Sequence, residues 1–112
     1  MNSFNNRLIA HIENSSSHLC VGLDISPELI DQPDSISKCI DHSKKVIDAT
    51  FDLVAAFKPN LAFYERWGSK GFAWLEGTLD YINDKIITIA DGKRGDIGNT
   101  AEQYAKSIFD HF

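Results

Sequence analysis

Three short apolar segments alternate along this chain with longer segments of helical periodicity. The apolar segments cover residues 19–24, 51–58 and 85–91, and each continues with few polar interruptions until it ends at a charged side chain. Continuous apolar runs, in contrast to alternating ones, are typical of parallel strands that are covered on both faces. We therefore predict that all three segments are buried β-strands.

Apolar residues in the intervening segments recur at helical intervals. The first set predicts a helix that begins near Ser35 and comprises Ile36, Ile40, Ile47, Phe51 and Val54. The second set predicts a helix over residues 69–83 and comprises Phe72, Leu75, Leu79 and Ile82. A third helix is expected to begin at Thr100, since Thr100 and Gln103 match a capping box in which a threonine caps the helix N-terminus.

The alternation of strand and helix predicts an α/β fold with parallel strands and right-handed crossovers. The charged residues that end the strands, Asp24, Lys58 and Asp91, are separated by 34 and 33 residues. A regular period of this size is typical of a (β/α) barrel, in which strand carboxyl ends carry the chemistry. A doubly wound open sheet is the alternative that the period leaves open.

The length of the chain constrains the barrel interpretation. A (β/α)8 TIM barrel takes about 250 residues, whereas this chain has 112 residues and about three βα units. Three strands leave both sheet edges unpaired, and Phe109 and Phe112 resemble core side chains without a layer to contact. We therefore expect residues 1–112 to be the N-terminal portion of a single TIM-barrel domain, with no separate second domain.

Composition and charge narrow the class of protein further. Apolar residues make up 43% and charged residues 24% of the chain, which argues against disorder. The net charge of −5 argues against a nucleic-acid or anionic-membrane partner, because phosphate binding needs clustered Lys and Arg. No apolar run approaches the roughly 20 residues that cross a bilayer, and the first residues lack a signal-peptide pattern. A cytoplasmic protein is expected.

The cysteine and histidine residues predict neither a disulfide framework nor a metal site. Cys20 and Cys39 are too few for either, and we expect both to be small core residues in a reducing compartment. The four histidines lack the spacing of metal ligands: His11, His18, His42 and His111.

A charged loop directly follows the third strand. Its sequence at residues 91–96 is Asp-Gly-Lys-Arg-Gly-Asp, and the two glycines allow tight backbone turns. Charge runs in loops are often solvated surface, but Lys58 ends the preceding strand and neighbouring strands would bring it close to Asp91. We therefore predict an alternating array of Lys58, Asp91, Lys93 and Asp96, in which each charge is held by the next.

These residues resemble the orotidine 5′-phosphate decarboxylase family of (β/α)8-barrel enzymes. The family's Asp-x-Lys-x-x-Asp motif stands here as Asp91, Lys93 and Asp96, and is followed by Ile97 and Thr100. Residues 23–24 (Leu-Asp) and 57–60 (Phe-Lys-Pro-Asn) match the ends of the family's first two strands. The resemblance extends from about residue 19 to residue 109, and the spacing is most similar to the bacterial branch with longer barrels.

The resemblance implies decarboxylation of orotidine 5′-phosphate to uridine 5′-phosphate in pyrimidine synthesis, without a cofactor or metal. It implies that Asp24 binds a ribose hydroxyl, and that Lys58 contacts the ribose and holds Asp91. Asp91 would lie beside the substrate carboxylate, and Lys93 would deliver a proton to C6 of the pyrimidine. Asn60 is a further candidate for a substrate contact.

The resemblance also implies a homodimer with shared active sites. Asp96 and Thr100 would reach the ribose in the partner's site. In barrels of this kind the loops after strands 7 and 8 bind the phosphate, so the phosphate-binding residues would lie outside these 112 residues.

The implied chemistry suits these residue types. Loss of carbon dioxide leaves a carbanion at C6 that no neighbouring carbonyl absorbs by conjugation, so nearby positive charge must stabilise it. A fixed ammonium group in a dry site does this without reorganising. Two unit charges about 4 Å apart interact by about 4 kcal/mol at an effective dielectric constant of about 20, which corresponds to about a thousandfold in rate.

Two alternatives remain from the sequence. The Mg²⁺-dependent sugar-phosphate barrels, of the hexulose-phosphate synthase or keto-gulonate-phosphate decarboxylase type, share the motif but generally place an acid at the end of the second strand. Lys58 at that position favours the nucleotide enzyme. The other alternative is a non-catalytic fragment that needs a complementary polypeptide.

Overall fold

Parts of the three apolar segments form one parallel sheet, and each strand is shorter than predicted. The structure is a computed structural model that describes residues 3–32 and 34–112. Strand β1 spans Cys20–Leu23, β2 spans Ala56–Pro59 and β3 spans Ile87–Thr88. The strands lie in the order β1-β2-β3, and both neighbouring pairs are parallel. The predicted α/β fold with parallel strands is therefore confirmed.

Helices connect and flank the strands. Their bounds are α1 Phe4–Ser15, α2 Ile36–Thr50, α3 Leu61–Glu65, α4 Ser69–Ile82 and α5 Gly98–Ala105, which continues as a π-helix over Lys106–His111. The predicted helices near residues 35 and 69–83 are confirmed by α2 and α4. Neither α1 nor α3 was among the predicted helices. In α1 the residues Phe4, Leu8 and Ile12 do recur at helical intervals, although none of its residues is buried. Helix α3 has too few turns to show a period.

Two helix ends differ from the sequence prediction. Helix α2 ends at Thr50, so Val54 is not part of its apolar face and is instead buried in the segment before β2. Helix α5 begins at Gly98, with Ile97 in the N-cap position. The capping box at Thr100 is therefore wrong, because the Ala101 N–H already bonds to the Ile97 carbonyl at 2.9 Å and starts the helix earlier.

Strand burial depends on the position of each strand in the sheet. The central strand β2 buries Phe57 completely, in contact with side chains from α2, α4 and β1. Strands β1 and β3 lie at the edges of the described sheet, and Cys20 and Thr88 are exposed. The prediction that all three strands are buried on both faces is therefore wrong for the two edge strands. The prediction of a core position is wrong for Cys20, which is exposed, and confirmed for Cys39, which is buried.

The core consists of two clusters under the helices. One is centred on Leu23, Val54 and Phe57 at the sheet, and the other on Tyr64 and Trp74 between α3 and α4. The Tyr64 and Trp74 rings are in contact, with 4.3 Å between their centroids and a tilted arrangement.

Part of the apolar surface stays uncovered. Phe109 is 83% exposed, which agrees with a core side chain without a layer to contact. Phe112, in contrast, packs against the second cluster and stacks on Phe72 at 6.1 Å between ring centroids. Across residues 3–32 and 34–112, no helix combines the length and apolar character needed to cross a membrane.

Candidate functional site

The carboxyl ends of the three strands meet at one edge of the sheet. The parallel register places Leu23 of β1 opposite Pro59 of β2. Beyond β2, Asn60 forms a parallel bridge with Asp91. The Asp91 N–H donates to the Pro59 carbonyl at 3.1 Å, and the Asp91 carbonyl accepts from the Leu61 N–H at 3.1 Å. The N–H and the carbonyl of Asp91 are therefore held by the last residue of β2 and by the first residue of α3.

Asp91 lies between two lysine side chains. The Lys58 Nζ is 3.7 Å from Asp91 Oδ2, and the Lys93 Nζ donates to Asp91 Oδ1. The Asp91 side chain is 18% exposed, whereas those of Lys58 and Lys93 are 42% and 74% exposed. The structure thus brings together three of the four charges of the predicted array, with the carboxylate innermost.

The two ammonium groups act on the ionisation of the carboxyl group. The hydrogen bond from Lys93 holds the pKa of Asp91 below its ordinary value, and the charges of Lys93 and Lys58 act in the same direction. Partial burial opposes this shift, but the pKa remains lowered. Asp91 is therefore anionic at neutral pH.

The loop that carries Lys93 has an unusual backbone. Lys93 itself adopts φ 50°, in the left-handed region, whereas Gly92 and Gly95 do not have positive φ. The expectation that the glycines supply the turn is wrong at this point, because the left-handed residue is the lysine between them. Non-glycine residues pay a conformational cost for this geometry, which often marks functional sites.

Asp96 is not part of the ion-pair array in the described chain. Its Oδ1 accepts from the Ile97 N–H at 2.7 Å, next to the start of α5, and the side chain is exposed. Within residues 3–32 and 34–112, no ion pair joins Asp96 to Lys93. The prediction that each charge is held by the next is therefore wrong at Asp96, because the carboxylate is engaged by its own loop backbone. Thr100 lies half-buried in the first turn of α5.

A second polar group lies at the end of β1. The Asn60 Nδ2 donates to Asp24 Oδ2 at 3.1 Å, while Asn60 Oδ1 accepts from the Ala62 N–H at 3.3 Å and caps α3. The other carboxylate oxygen of Asp24, Oδ1, is buried and has no hydrogen-bond partner among the described residues. A buried acceptor of this kind is normally satisfied, so Asp24 can receive a hydroxyl donor.

Helix α3 contributes residues that the sequence did not reveal. Arg66, the residue after α3, donates to both oxygens of Glu28 and to Asp34 in the segment that follows β1. Glu65 pairs with Arg94 in the loop after β3. These pairs join residues about 30 positions apart, and because α3 is too short to predict, no sequence signal identified them.

No metal site is formed in the described part of the chain. Among residues 3–32 and 34–112, His, Cys, Asp and Glu side chains do not gather in groups of three. That the protein uses neither metal nor cofactor stays a prediction.

Parallel βα units with charged side chains gathered at the strand carboxyl ends are typical of the class of (β/α)-barrel enzymes. Within that class, the model of the Orotidine 5′-phosphate decarboxylase / HUMPS family matches residues 17–112, and the chain therefore belongs to this family. The fold prediction is confirmed as part of a TIM barrel.

Curated and solved relatives agree with the family. The orotidine 5′-phosphate decarboxylase of Parabacteroides distasonis is 46% identical over 94% of this chain and 39% of its own length. That of Porphyromonas gingivalis is 48% identical over 85% of this chain and 36% of its own length. A Toxoplasma gondii structure, assigned as an orotidine-monophosphate decarboxylase, has TM-score 0.88 and 37% identity, over 94% of this chain and 36% of that one. The chain thus spans about two fifths of the length of the curated relatives it matches.

Proposed function

We propose that the protein to which these residues belong converts orotidine 5′-phosphate to uridine 5′-phosphate in pyrimidine synthesis. The observation that carries this proposal is the Asp91 carboxylate between the Lys58 and Lys93 ammonium groups at the strand ends. The names of the curated relatives support the same reaction.

The proposed roles follow from this geometry. Asp91, held as an anion, faces the substrate carboxylate and opposes its negative charge, while Lys93 supplies the positive charge that stabilises the carbanion at C6 and then protonates it. The ammonium is already ordered by its hydrogen bond to Asp91 and pays little reorganisation during the reaction. When carbon dioxide leaves, the electron pair of the broken carbon–carbon bond stays on C6 of the ring until the proton arrives.

The group at the end of β1 suits the sugar of the substrate. Oδ1 of Asp24, which has no hydrogen-bond partner in the described part of the chain, accepts a ribose hydroxyl, and Asn60 orients Asp24 through its other oxygen. Lys58 then contacts both the ribose and Asp91. Because hydrogen bonds to charged groups contribute about 1.5–3 kcal/mol, this group accounts for about tenfold to a hundredfold in affinity.

A Mg²⁺-dependent sugar-phosphate reaction is the second candidate, since the matching family model covers both branches. Lys58 at the end of β2, in place of an acid, favours the nucleotide reaction. The decisive experiment is an assay of orotidine 5′-phosphate decarboxylation by the full-length protein in excess EDTA. Turnover that survives chelation supports the proposal. Turnover of a hexulose phosphate that EDTA abolishes would replace it.

We further propose that residues 1–112 are the N-terminal portion of one TIM-barrel domain and that the remaining units supply the phosphate-binding loops. The exposed edges β1 and β3 and the exposed Phe109 support this. Binding energy from a remote phosphate often drives such a reaction. Titration with uridine 5′-phosphate should show tight binding by the full-length protein and none by the 112-residue chain, and tight binding by the short chain would refute the proposal.

We also propose a cytoplasmic homodimer in which Asp96 and Thr100 serve the partner's site. The exposed Asp96 carboxylate, which is not paired with a lysine of its own described chain, supports this. Mixing an Asp96→Ala variant with an Asp91→Ala variant should restore part of the activity, because one of the two sites in a mixed dimer receives both intact residues. Mixed dimers without any recovery would contradict a shared site.

A further inference from the structure

We propose that Arg94 is a positioning residue: through its ion pair with Glu65 it holds the loop of residues 92–97 so that Lys93 lies against Asp91. The placement of Lys93 does not depend on which reaction the protein catalyses. The effect on turnover rests, in addition, on the proposed decarboxylase function.

Arg94 contacts three separate parts of the structure. Its Nη2 pairs with Oε1 of Glu65 in α3, and its Nη1 donates to the Gly92 carbonyl at 2.6 Å within its own loop. The guanidinium also lies 5.8 Å from the ring centroid of Tyr104 in α5. The side chains of Arg94 and Glu65 are only 30% and 31% exposed. Because an ion pair sheltered from solvent is screened less than an exposed one, this pair can restrain the loop.

The loop has little else to restrain it. Among the described residues, no backbone–backbone hydrogen bond involves residues 92–96. Lys93 adopts φ 50°, a conformation that is unfavourable for a non-glycine residue and persists only where the surroundings impose it. Its own side chain is 74% exposed and cannot impose it by packing. Arg94, which bonds to the residue immediately before Lys93, is the neighbour placed to do so.

Glu65 lies on a helix that is packed into the core. It ends α3, whose residues Leu61 and Tyr64 are buried. The first turn of α3 is tied to the site itself, because the Leu61 N–H donates to the Asp91 carbonyl. Glu65 and Asp91 are therefore connected through α3, and Arg94 joins the segment between Asp91 and α5 to that helix.

The neighbouring Arg66 shows what distinguishes this pair. Arg66 bonds to Glu28 and Asp34, whose side chains are 70% and 75% exposed. Only the acids of that contact are largely exposed, since the Arg66 side chain is 35% exposed, and the contact joins the end of α3 to the segment after β1. Glu65 and the following Arg66 thus contact different loops, and of the two only Glu65 pairs with a residue of the loop that carries Lys93.

The test is an NMR titration of the Asp91 side-chain carboxyl carbon in the full-length protein. The groups that face this carboxylate are Lys58 and Lys93. We expect Arg94→Ala and Glu65→Gln to raise the pKa of Asp91 toward its ordinary value, because Lys93 leaves its hydrogen bond, and Arg94→Lys to restore part of the shift. Lys106→Ala, which removes an exposed pair with Glu102 on α5, is the control and should leave the titration unchanged.

The turnover rate is a second measurement on the same variants. Arg94→Ala and Glu65→Gln should lower kcat about tenfold to a hundredfold with a smaller change in KM, with Arg94→Lys in between and Lys106→Ala unchanged. An unaltered Asp91 titration in both Arg94→Ala and Glu65→Gln overturns the positioning role, whatever happens to turnover. Absence of decarboxylation in the unmodified protein overturns the proposed function instead, while the titration still decides the role of Arg94.

Discussion

Asn60 joins Asp24 to the start of helix α3. Its Nδ2 donates to Asp24 Oδ2 at 3.1 Å, and its Oδ1 accepts from the Ala62 N–H at 3.3 Å. One amide therefore both caps a helix and orients a carboxylate at the end of a neighbouring strand. The other oxygen of Asp24 is buried and has no hydrogen-bond partner among residues 3–32 and 34–112.

Substitutions at Asn60 separate these two contacts. Asn60→Asp keeps an N-cap oxygen but replaces the donor with a second carboxylate that repels Asp24. We expect Asn60→Asp to weaken binding of uridine 5′-phosphate to the full-length protein by at least about tenfold. Its loss of stability should be smaller than that of Asn60→Ala, because Asn60→Ala also removes the helix cap, which contributes about 1 kcal/mol. Calorimetric titration and urea denaturation measure the two effects. If Asn60→Asp binds the nucleotide as tightly as the unmodified protein does, the contact between Asn60 and Asp24 has no role in binding.

Removal of the Lys93 ammonium should affect chemistry far more than stability. The side chain is 74% exposed, so Lys93→Ala is expected to change the free energy of unfolding by less than about 1 kcal/mol. Initial rates should fall by about a thousandfold or more, since one charge contact contributes about 4 kcal/mol. Lys106→Ala is the matched control for removing an exposed lysine. Retention of full activity in Lys93→Ala would remove the assigned proton donor.

Acid should abolish the contribution of Asp91 to stability. The folded state lowers the pKa of Asp91, so its carboxylate stabilises the fold above the unfolded pKa, which is about 3.9, and this contribution is lost as the pH falls through the lowered folded value. The difference in unfolding free energy between the unmodified protein and Asp91→Asn should therefore be constant near neutral pH and shrink below about pH 4. Urea denaturation from pH 7 to pH 3 measures it. A difference that instead grows on acidification would show that the pKa is raised.

Two glycines of helix α4 should respond to alanine in opposite directions. A Cβ at Gly71 would lie 1.6 Å from the Tyr64 carbonyl oxygen, so α3 and α4 would have to separate. Gly71→Ala is expected to lower the free energy of unfolding by about 3 kcal/mol or more. A Cβ at Gly77 meets no atom within 4 Å, and Gly77→Ala should raise stability by about 0.5–1 kcal/mol through helix propensity. Equal effects of both substitutions in urea denaturation would contradict this packing.

The two cysteines should report on whether a further strand covers β1. Cys20 is exposed, whereas burial raises the pKa of the Cys39 thiol and slows its reaction. With a thiol reagent, we expect Cys20 of the 112-residue chain to react within minutes and Cys39 only on unfolding. In the full-length protein Cys20 should also be protected, because a neighbouring strand covers the β1 edge. Rapid reaction of Cys20 in the full-length protein would argue against a closed barrel.

Much of the fold was determined by the sequence alone. The apolar runs ending at Asp24, Lys58 and Asp91 predicted three parallel strands and one shared edge, because continuous apolar runs that alternate with helical segments are typical of covered parallel strands. The runs are longer than the strands, since only Cys20–Leu23, Ala56–Pro59 and Ile87–Thr88 pair in the sheet. The close approach of Lys58, Asp91 and Lys93 followed from the same pattern, since residues at the ends of neighbouring parallel strands have little freedom to lie elsewhere.

Only the tertiary structure decided which side chains hold that site together. The contacts of Asn60 with Asp24 and of Glu65 with Arg94 join residues about 30 or more positions apart, and they depend on register and on a helix too short to show a period. The left-handed backbone of Lys93 likewise depends on its surroundings, because its own propensity opposes it. Local patterns specify elements, whereas a hydrogen bond needs a position within a fraction of an ångström, and only packing sets that position.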